Sequence, residues 1–467
     1  MALAGNGQAR GLSWVDIVRM GLVQTALGAI VVITTSTLNR VMIVELGLLA
    51  MLPAGLVAYH YAVQMTRTRW GYGSDMGRSR TPWIVGGMFV LGFGGWLAAV
   101  ATAVMSVSFG WGLAIALVAF LLIGLGVGAA GTSLLALLAT YVTPGRRAAA
   151  ASTVWIMMIL GFVVTTIIAG QFLDPFSYTR LVVVSGAVSV IAFTVATLAI
   201  MGVERRAMAH AADAPSLVDQ SDRTEGAEKP PFREVLAEVW AEPKARAFSI
   251  FVFVSMLAYS MQDLILEPFA GHVFNLPPGE STQLSGVHHG GALAGMIGVA
   301  LIGSLRGGSR VGALRLWAIG GCLASALAFA ALAASNFVGP EAWPLEASVF
   351  ALGLANGAFA VAAIGSMMGL AGAGRPGREG TRMGLWGAAQ AIAFGLGIVL
   401  GSAVVDAARY LSGEPHIAYA IVFTLEGALF VLAAALAARM GSTEHDQTRV
   451  AQPLAGEALM EMEGGAR

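Results

Sequence analysis

Three ionisable side chains punctuate the stretch SMQDLILEPFAGHVF, residues 260–274: Asp263, Glu267 and His272, with no lysine or arginine among them. Asp263 and Glu267 are four residues apart and share one face of a helix, and Pro268 predicts a break after Glu267. Two carboxylates at that spacing repel each other. The pattern therefore asks for a donor on another helix, a bound cation, or a proton held by one of the pair; anchoring a helix end at an interface is the alternative use. A second cluster, SGVHHGGALAG, holds His288 and His289, which point to different faces and are flanked by Gly286, Gly290 and Gly291. Either imidazole can bond a carboxylate on the preceding helix, for which Asp263 and Glu267 are the obvious partners. The third group is Arg40 with Glu45 in TLNRVMIVELG.

These groups sit in a chain of 467 residues that is 57% hydrophobic and only 12% charged, with a mean hydropathy of +0.75. A soluble protein does not have this composition. Its net charge of zero provides no basic face for nucleic acid, and its single cysteine, Cys322, rules out a disulfide framework or a cysteine metal site. Sixty glycines point instead to closely packed membrane helices. Segments of about 20 apolar residues cross a bilayer core about 30 Å thick, and twelve are predicted. Six lie near 20–38, 44–62, 83–104, 111–138, 148–168 and 181–201, and six near 248–266, 284–305, 314–334, 347–371, 383–405 and 417–438. The expected organisation is a six-helix bundle over 14–203, a polar cytoplasmic linker over 204–246 ending in an amphipathic helix near 232–240, a second six-helix bundle over 247–440, and a cytoplasmic tail over 441–467. With both termini in the cytoplasm, Arg40, Arg180 and Arg409 are the only basic residues left outside.

An all-α polytopic protein of six helices, linker and six helices resembles the major facilitator superfamily, whose two related halves enclose a central site. The loop GYGSDMGRSR, with Gly71, Asp75, Gly77, Arg78 and Arg80, is similar to that superfamily's G-x-x-x-D-x-x-G-[RK] turn, although one residue is missing between Asp75 and Gly77. The equivalent GSLRGGSR of the second half has no acid. A plain basic turn fits both loops equally well. The only lysines, Lys229 and Lys244, lie outside any P-loop pattern, so no ATP site is expected. Candidates for proton or sodium coupling are few: His60, Asn356, Gln390 and Glu426, each also readable as a polar contact between helices.

The combination of TLNRVMIVELG, QDLILEPFAGHVF and the turn NLPPGESTQLS resembles the PucC/LhaA family, a bacteriochlorophyll delivery branch of the superfamily, over roughly 12–440. The resemblance implies an assembly factor for light-harvesting complexes in the bacterial inner, intracytoplasmic photosynthetic membrane. Bacteriochlorophyll or a prenylated precursor would be bound cargo, and the partners would be lipid, antenna polypeptides and pigment-synthesis enzymes. A pigment with a long tail needs an apolar, lateral groove, and its magnesium takes an axial imidazole, for which His288 and His289 are the candidates. The glycine pairs 124/128, 286/290, 291/295, 353/357 and 397/401 would receive either a flat ring or, more simply, a neighbouring helix. A proton-coupled transporter of a small or lipid-like solute is the competing reading. Aspartate-rich prenyl-diphosphate motifs, nucleotide loops and structural metal sites are missing, so the chain is expected not to be an enzyme. Because helices one and seven flank the pseudo-twofold axis, Arg40 is expected to pair with Glu267, and Glu45 to lie opposite His272, closing the outer side.

Overall fold

The computed structural model describes residues 12–64, 79–212, 240–305, 311–338, 342–372 and 379–464. The first half consists of α1 (Trp14–Glu45), α2 (Met51–Gln64), α3 (Thr81–Met105), α4 (Phe109–Tyr141), α5 (Pro144–Leu173) and α6 (Tyr178–Ile200). A short α7 (Val203–Ala212) leads out of it. The second half runs through α8 (Pro243–Met261), α9 (Leu266–Val273), α10 (Pro278–Leu305), α11 (Val311–Val338), α12 (Leu345–Gly372), α13 (Glu379–Ser412) and α14 (Pro415–Gly464). Helix starts follow local chemistry. Ser13 caps α1 by accepting from the Asp16 amide, Ser177 caps α6 through the Arg180 amide, and Pro144 and Pro243 open α5 and α8, where an amide hydrogen would have no partner.

Eleven helices among the described residues are long and apolar enough to cross a membrane. The twelfth expected crossing corresponds to α2, whose 14 residues are shorter than a bilayer crossing; residues 65–78 lie outside the described residues. The expected loop residues Gly71, Asp75, Gly77 and Arg78 fall in that stretch, as does most of the loop 303–310 in its own gap. Arg80 is described, at the N-cap of α3, and its guanidinium reaches the Ala136 carbonyl at 2.9 Å and the Thr140 hydroxyl at 2.6 Å. The linker starts with more order than its composition implies. Glu204 on α7 accepts from the Ser79 and Thr81 hydroxyls and from the Arg80 and Thr81 amides, closing the start of α3. The amphipathic stretch near 232–240 lies almost wholly outside the described residues.

Each half has its own apolar core. The close approaches are made by glycine, as the spacing predicts, and they serve the protein's own helices. Gly291 and Gly295 of α10 face the backbone of α12, and Gly353 and Gly357 of α12 return the contact. Gly397 and Gly401 of α13 approach α8, and Gly124 of α4 approaches the His60 carbonyl of α2. Gly286 meets Thr166 and Ile167 of α5 across the two halves, whereas Gly290 faces open space.

Candidate functional site

The polar half of α1 is built unlike the rest of it. Ile33–Thr37 and Val41–Glu45 are π-turns, which rotate the ladder and present Ser36, Thr37, Asn39 and Arg40 toward the second half. Ser36 and Ser285 hydroxyls lie 2.9 Å apart, and those of Thr37 and Thr282 3.0 Å apart. The helix opposite is broken here too. Gln262–Leu264 is a 3-10 turn, and the Leu264 carbonyl freed by it accepts from the Asn39 amide at 2.6 Å. The break therefore precedes Glu267 rather than following it. Pro268 stands in the first turn of α9, where its missing amide hydrogen costs nothing. Asn275, with φ 55°, ends the segment in the left-handed region that asparagine tolerates.

Arg40 does not pair with Glu267. Its guanidinium is bound to Glu45 on the next turn of its own helix and donates to the Leu276 carbonyl at 2.6 Å. The physical reason is the π-turn, which brings residues five apart onto one face. Glu267 is buried beside the Ser36–Ser285 hydroxyl pair and within the field of Arg40, with neither carboxylate oxygen in a bond of ordinary geometry. His272 is not opposite Glu45 either; its Nδ1 lies 2.9 Å from the Tyr419 hydroxyl of α14. Asp263, in the 3-10 turn, is within electrostatic reach of Tyr259 and of Glu426 on α14. Both Glu426 oxygens are buried without a hydrogen-bond partner among the described residues.

The two adjacent histidines diverge as expected. His288 turns into the second half, with its Nε2 3.4 Å from the Gln262 amide nitrogen and 3.5 Å from that of Asn356, which in turn accepts from Ser325 at 2.8 Å. Its partner on the preceding helix is thus a neutral amide rather than a carboxylate, and Nε2 is already engaged. His289 turns toward the first half. Its Nδ1 donates to the Ser285 carbonyl at 2.8 Å, which leaves the lone pair on Nε2, and its ring meets the edge of Phe162 with centroids 5.0 Å apart.

At the same end of the bundle, Asp174 of the α5–α6 turn accepts from the Gly279 amide at 3.0 Å, and Asp406 of α13 accepts from the Ala50 and Met51 amides at 2.9 and 2.8 Å, capping α2 from the other half. Interhelical hydrogen bonds in a bilayer contribute about 0.6 kcal/mol each. A handful of them therefore joins the halves by a few kcal/mol in all.

A lateral cleft of about 870 Å³ lies on the first half between α5 and α6, with α1 as its floor. Ala26, Ala29, Ala169 and Ala192 leave the space, Val164, Ile168, Phe172, Val183 and Ile191 form lipid-facing walls, and Asp174 and Arg180 stand at one end. Apart from Arg180, one of the three basic residues expected outside, the sequence marks none of these residues as special. They are the ordinary vocabulary of a membrane helix, and only the splay of α5 from α6 makes them a site.

The comparisons with known proteins agree with this architecture. At 48% identity the chain matches the "Bacteriochlorophyll synthase 44.5 kDa chain" of Rhodobacter capsulatus, over 96% of its own length and 100% of the relative's. It is 30% identical to "Protein PucC" of the same organism, over 90% of the chain and 91% of the relative. Among solved structures it resembles the peptide transporter POT (TM-score 0.64, 14% identity, 91% of this chain and 95% of that one) and the nucleoside transporter NupG (TM-score 0.63, 14% identity, 91% and 98%). At such identities these two establish the fold, that of major facilitator transporters, and nothing about substrate. The expectation that the chain is not an enzyme is overturned by the first relative, whose name is that of a synthase chain; the missing catalytic motifs were read as a missing activity, which motifs alone do not decide. The family described as "PUCC protein" matches residues 37–445, covering α1 from Thr37 onward, the broken helix and the histidine pair, and with these relatives it shows that this multi-pass membrane chain belongs to the PUCC protein family.

Proposed function

We propose that the protein handles bacteriochlorophyll, or a prenylated precursor of it, inside the membrane, taking the pigment where it is made and passing it to light-harvesting antenna polypeptides. The single observation that carries this reading is the apolar cleft opening sideways to lipid in a member of this family. A tailed pigment cannot cross water at any useful rate, so its handling needs a lateral opening. The 48% identical synthase chain supports a place beside pigment synthesis, and the pigment-making enzymes are then partners together with the antenna polypeptides. The test is affinity purification from pigmented membranes, followed by an absorption spectrum and mass spectrometry. Chlorin absorbance with antenna peptides in the eluate is the expected result. A colourless preparation that drives proton-coupled uptake of a small solute in vesicles would overturn it in favour of the transporter reading, supported by the fold shared with solved transporters and by Glu426, which is buried with no partner among the described residues.

The proposed setting is the bacterial inner, photosynthetic membrane, with both termini and the linker cytoplasmic and the stitched end outside. The support is the distribution of basic residues along the sequence: Arg67, Arg69, Arg78, Arg146, Arg147, Arg375, Arg378 and Arg382 belong to connections expected on the cytoplasmic side, and only Arg40, Arg180 and Arg409 to those expected outside. Reporter fusions at Ser216 and at Asp174 are expected to give opposite signals, cytoplasmic at Ser216; matching signals would overturn the twelve-helix arrangement, and exchanged signals would invert the orientation.

A further inference from the structure

We propose that the cleft between α5 and α6 is the seat of the cargo's hydrocarbon tail, not of its ring, with the oxygen-bearing head end of that tail held at Arg180. This deepens the pigment reading and rests on it. Shape is the first argument. Along α6 the cleft runs from Arg180 to Val195, about 22 Å at 1.5 Å per residue, which exceeds one bilayer leaflet of about 15 Å. A long apolar cleft of this kind matches a single branched chain laid along it.

Chemistry is the second argument. The lining is overwhelmingly apolar apart from Thr25, Thr165, Gln171 and the Asp174–Arg180 end. Arg180 spends one donor on the Asp174 carbonyl at 2.7 Å, and among the described residues its guanidinium makes no other hydrogen bond or ion pair. A guanidinium has five N–H donors, so those remaining are free for the carbonyl of an ester or the oxygens of a similar head. An arginine serving only to anchor the helix would not need an apolar channel leading away from it. The orientation follows: tail inward toward Thr25 and Val195, head at the Arg180 end, and ring outside the cleft beside the exposed Phe172.

The experiment titrates the purified full chain in lipid nanodiscs with three ligands: bacteriochlorophyll, its tail-less chlorophyllide, and geranylgeraniol. Ala187→Trp and Val183→Trp each place an indole in the cleft from lipid-exposed positions where folding is not at stake, and Leu327→Trp on lipid-facing α11 is the control. Displacing about two methylenes of tail weakens binding about tenfold. Both cleft variants are therefore expected to lose about tenfold in affinity for bacteriochlorophyll and for geranylgeraniol while binding chlorophyllide as wild type does. The control is expected to change nothing, and Arg180→Gln to weaken the tailed pigment alone. Unaltered bacteriochlorophyll binding in both cleft variants would place the tail elsewhere and sink this inference while leaving the pigment reading intact. Retention of a membrane phospholipid that pigment does not displace would sink it as well. Wild-type protein that binds geranylgeraniol in the cleft but neither pigment would remove the pigment reading and leave a tail site standing.

Discussion

Glu45→Gln is expected to destabilise the protein by about 3 kcal/mol, near the lower end of the 3–5 kcal/mol measured when one partner of a buried pair is removed. The Arg40 side chain is 3% exposed and that of Glu45 31%, so deleting the acid strands the more deeply buried charge, whereas deleting the arginine leaves an acid that water reaches. Arg40→Met is therefore expected to be the milder single change, and Arg40→Met with Glu45→Gln to recover much of the loss, because no isolated charge remains. Thermal unfolding of the detergent-solubilised protein reads all three. A Glu45→Gln variant as stable as wild type would show that Glu267 serves as the counter-ion of Arg40, restoring the pairing that the sequence suggested. The matching Glu267→Gln change is expected to be nearly neutral, since neither Glu267 oxygen makes a well-formed bond.

Gly353→Ala is expected to cost about 3 kcal/mol, at the top of the usual range for overpacking. A Cβ at this position would overlap the His288 carbonyl and lie 3.0 Å from the Ala292 amide nitrogen. Both obstacles are helix backbone, which cannot swing aside as a side chain does, so α10 and α12 must separate. Separation also pulls His288 from the Asn356 amide, 3.5 Å away, and loosens the polar contacts of the second half. Gly290→Ala is the paired control. Its Cβ would meet open space, and alanine is favoured over glycine in a helix by about 0.5–1 kcal/mol, so this variant is expected to be as stable as wild type or slightly more so. Yield of folded protein and midpoint of thermal unfolding separate the two. Equal stability of both variants would mean that the α10–α12 approach is looser than described.

Hydrophobic runs, glycine spacing and the distribution of arginine were enough to read a polytopic, two-half helical protein from the sequence, because a bilayer leaves the backbone few choices: every amide must be satisfied within its own helix, and each crossing needs a fixed length of apolar residues. The glycine pairs were legible for the same reason, since only a side chain of one hydrogen lets two helix backbones touch. The motif residues around Asn39 and Leu264 were recognisable as facing each other, and they do meet. What the sequence could not decide was which charge satisfies which. Residue spacing assumes a regular helix, and two π-turns in α1 and a 3-10 turn before Glu267 break that assumption by shifting the face on which Arg40, Glu45 and Glu267 emerge. Nor could it reveal the lateral cleft. Alanine, valine and isoleucine are the same letters whether two helices close over them or stand apart, and the separation of α5 from α6 above α1 is set by packing between helices, which belongs to the tertiary structure alone.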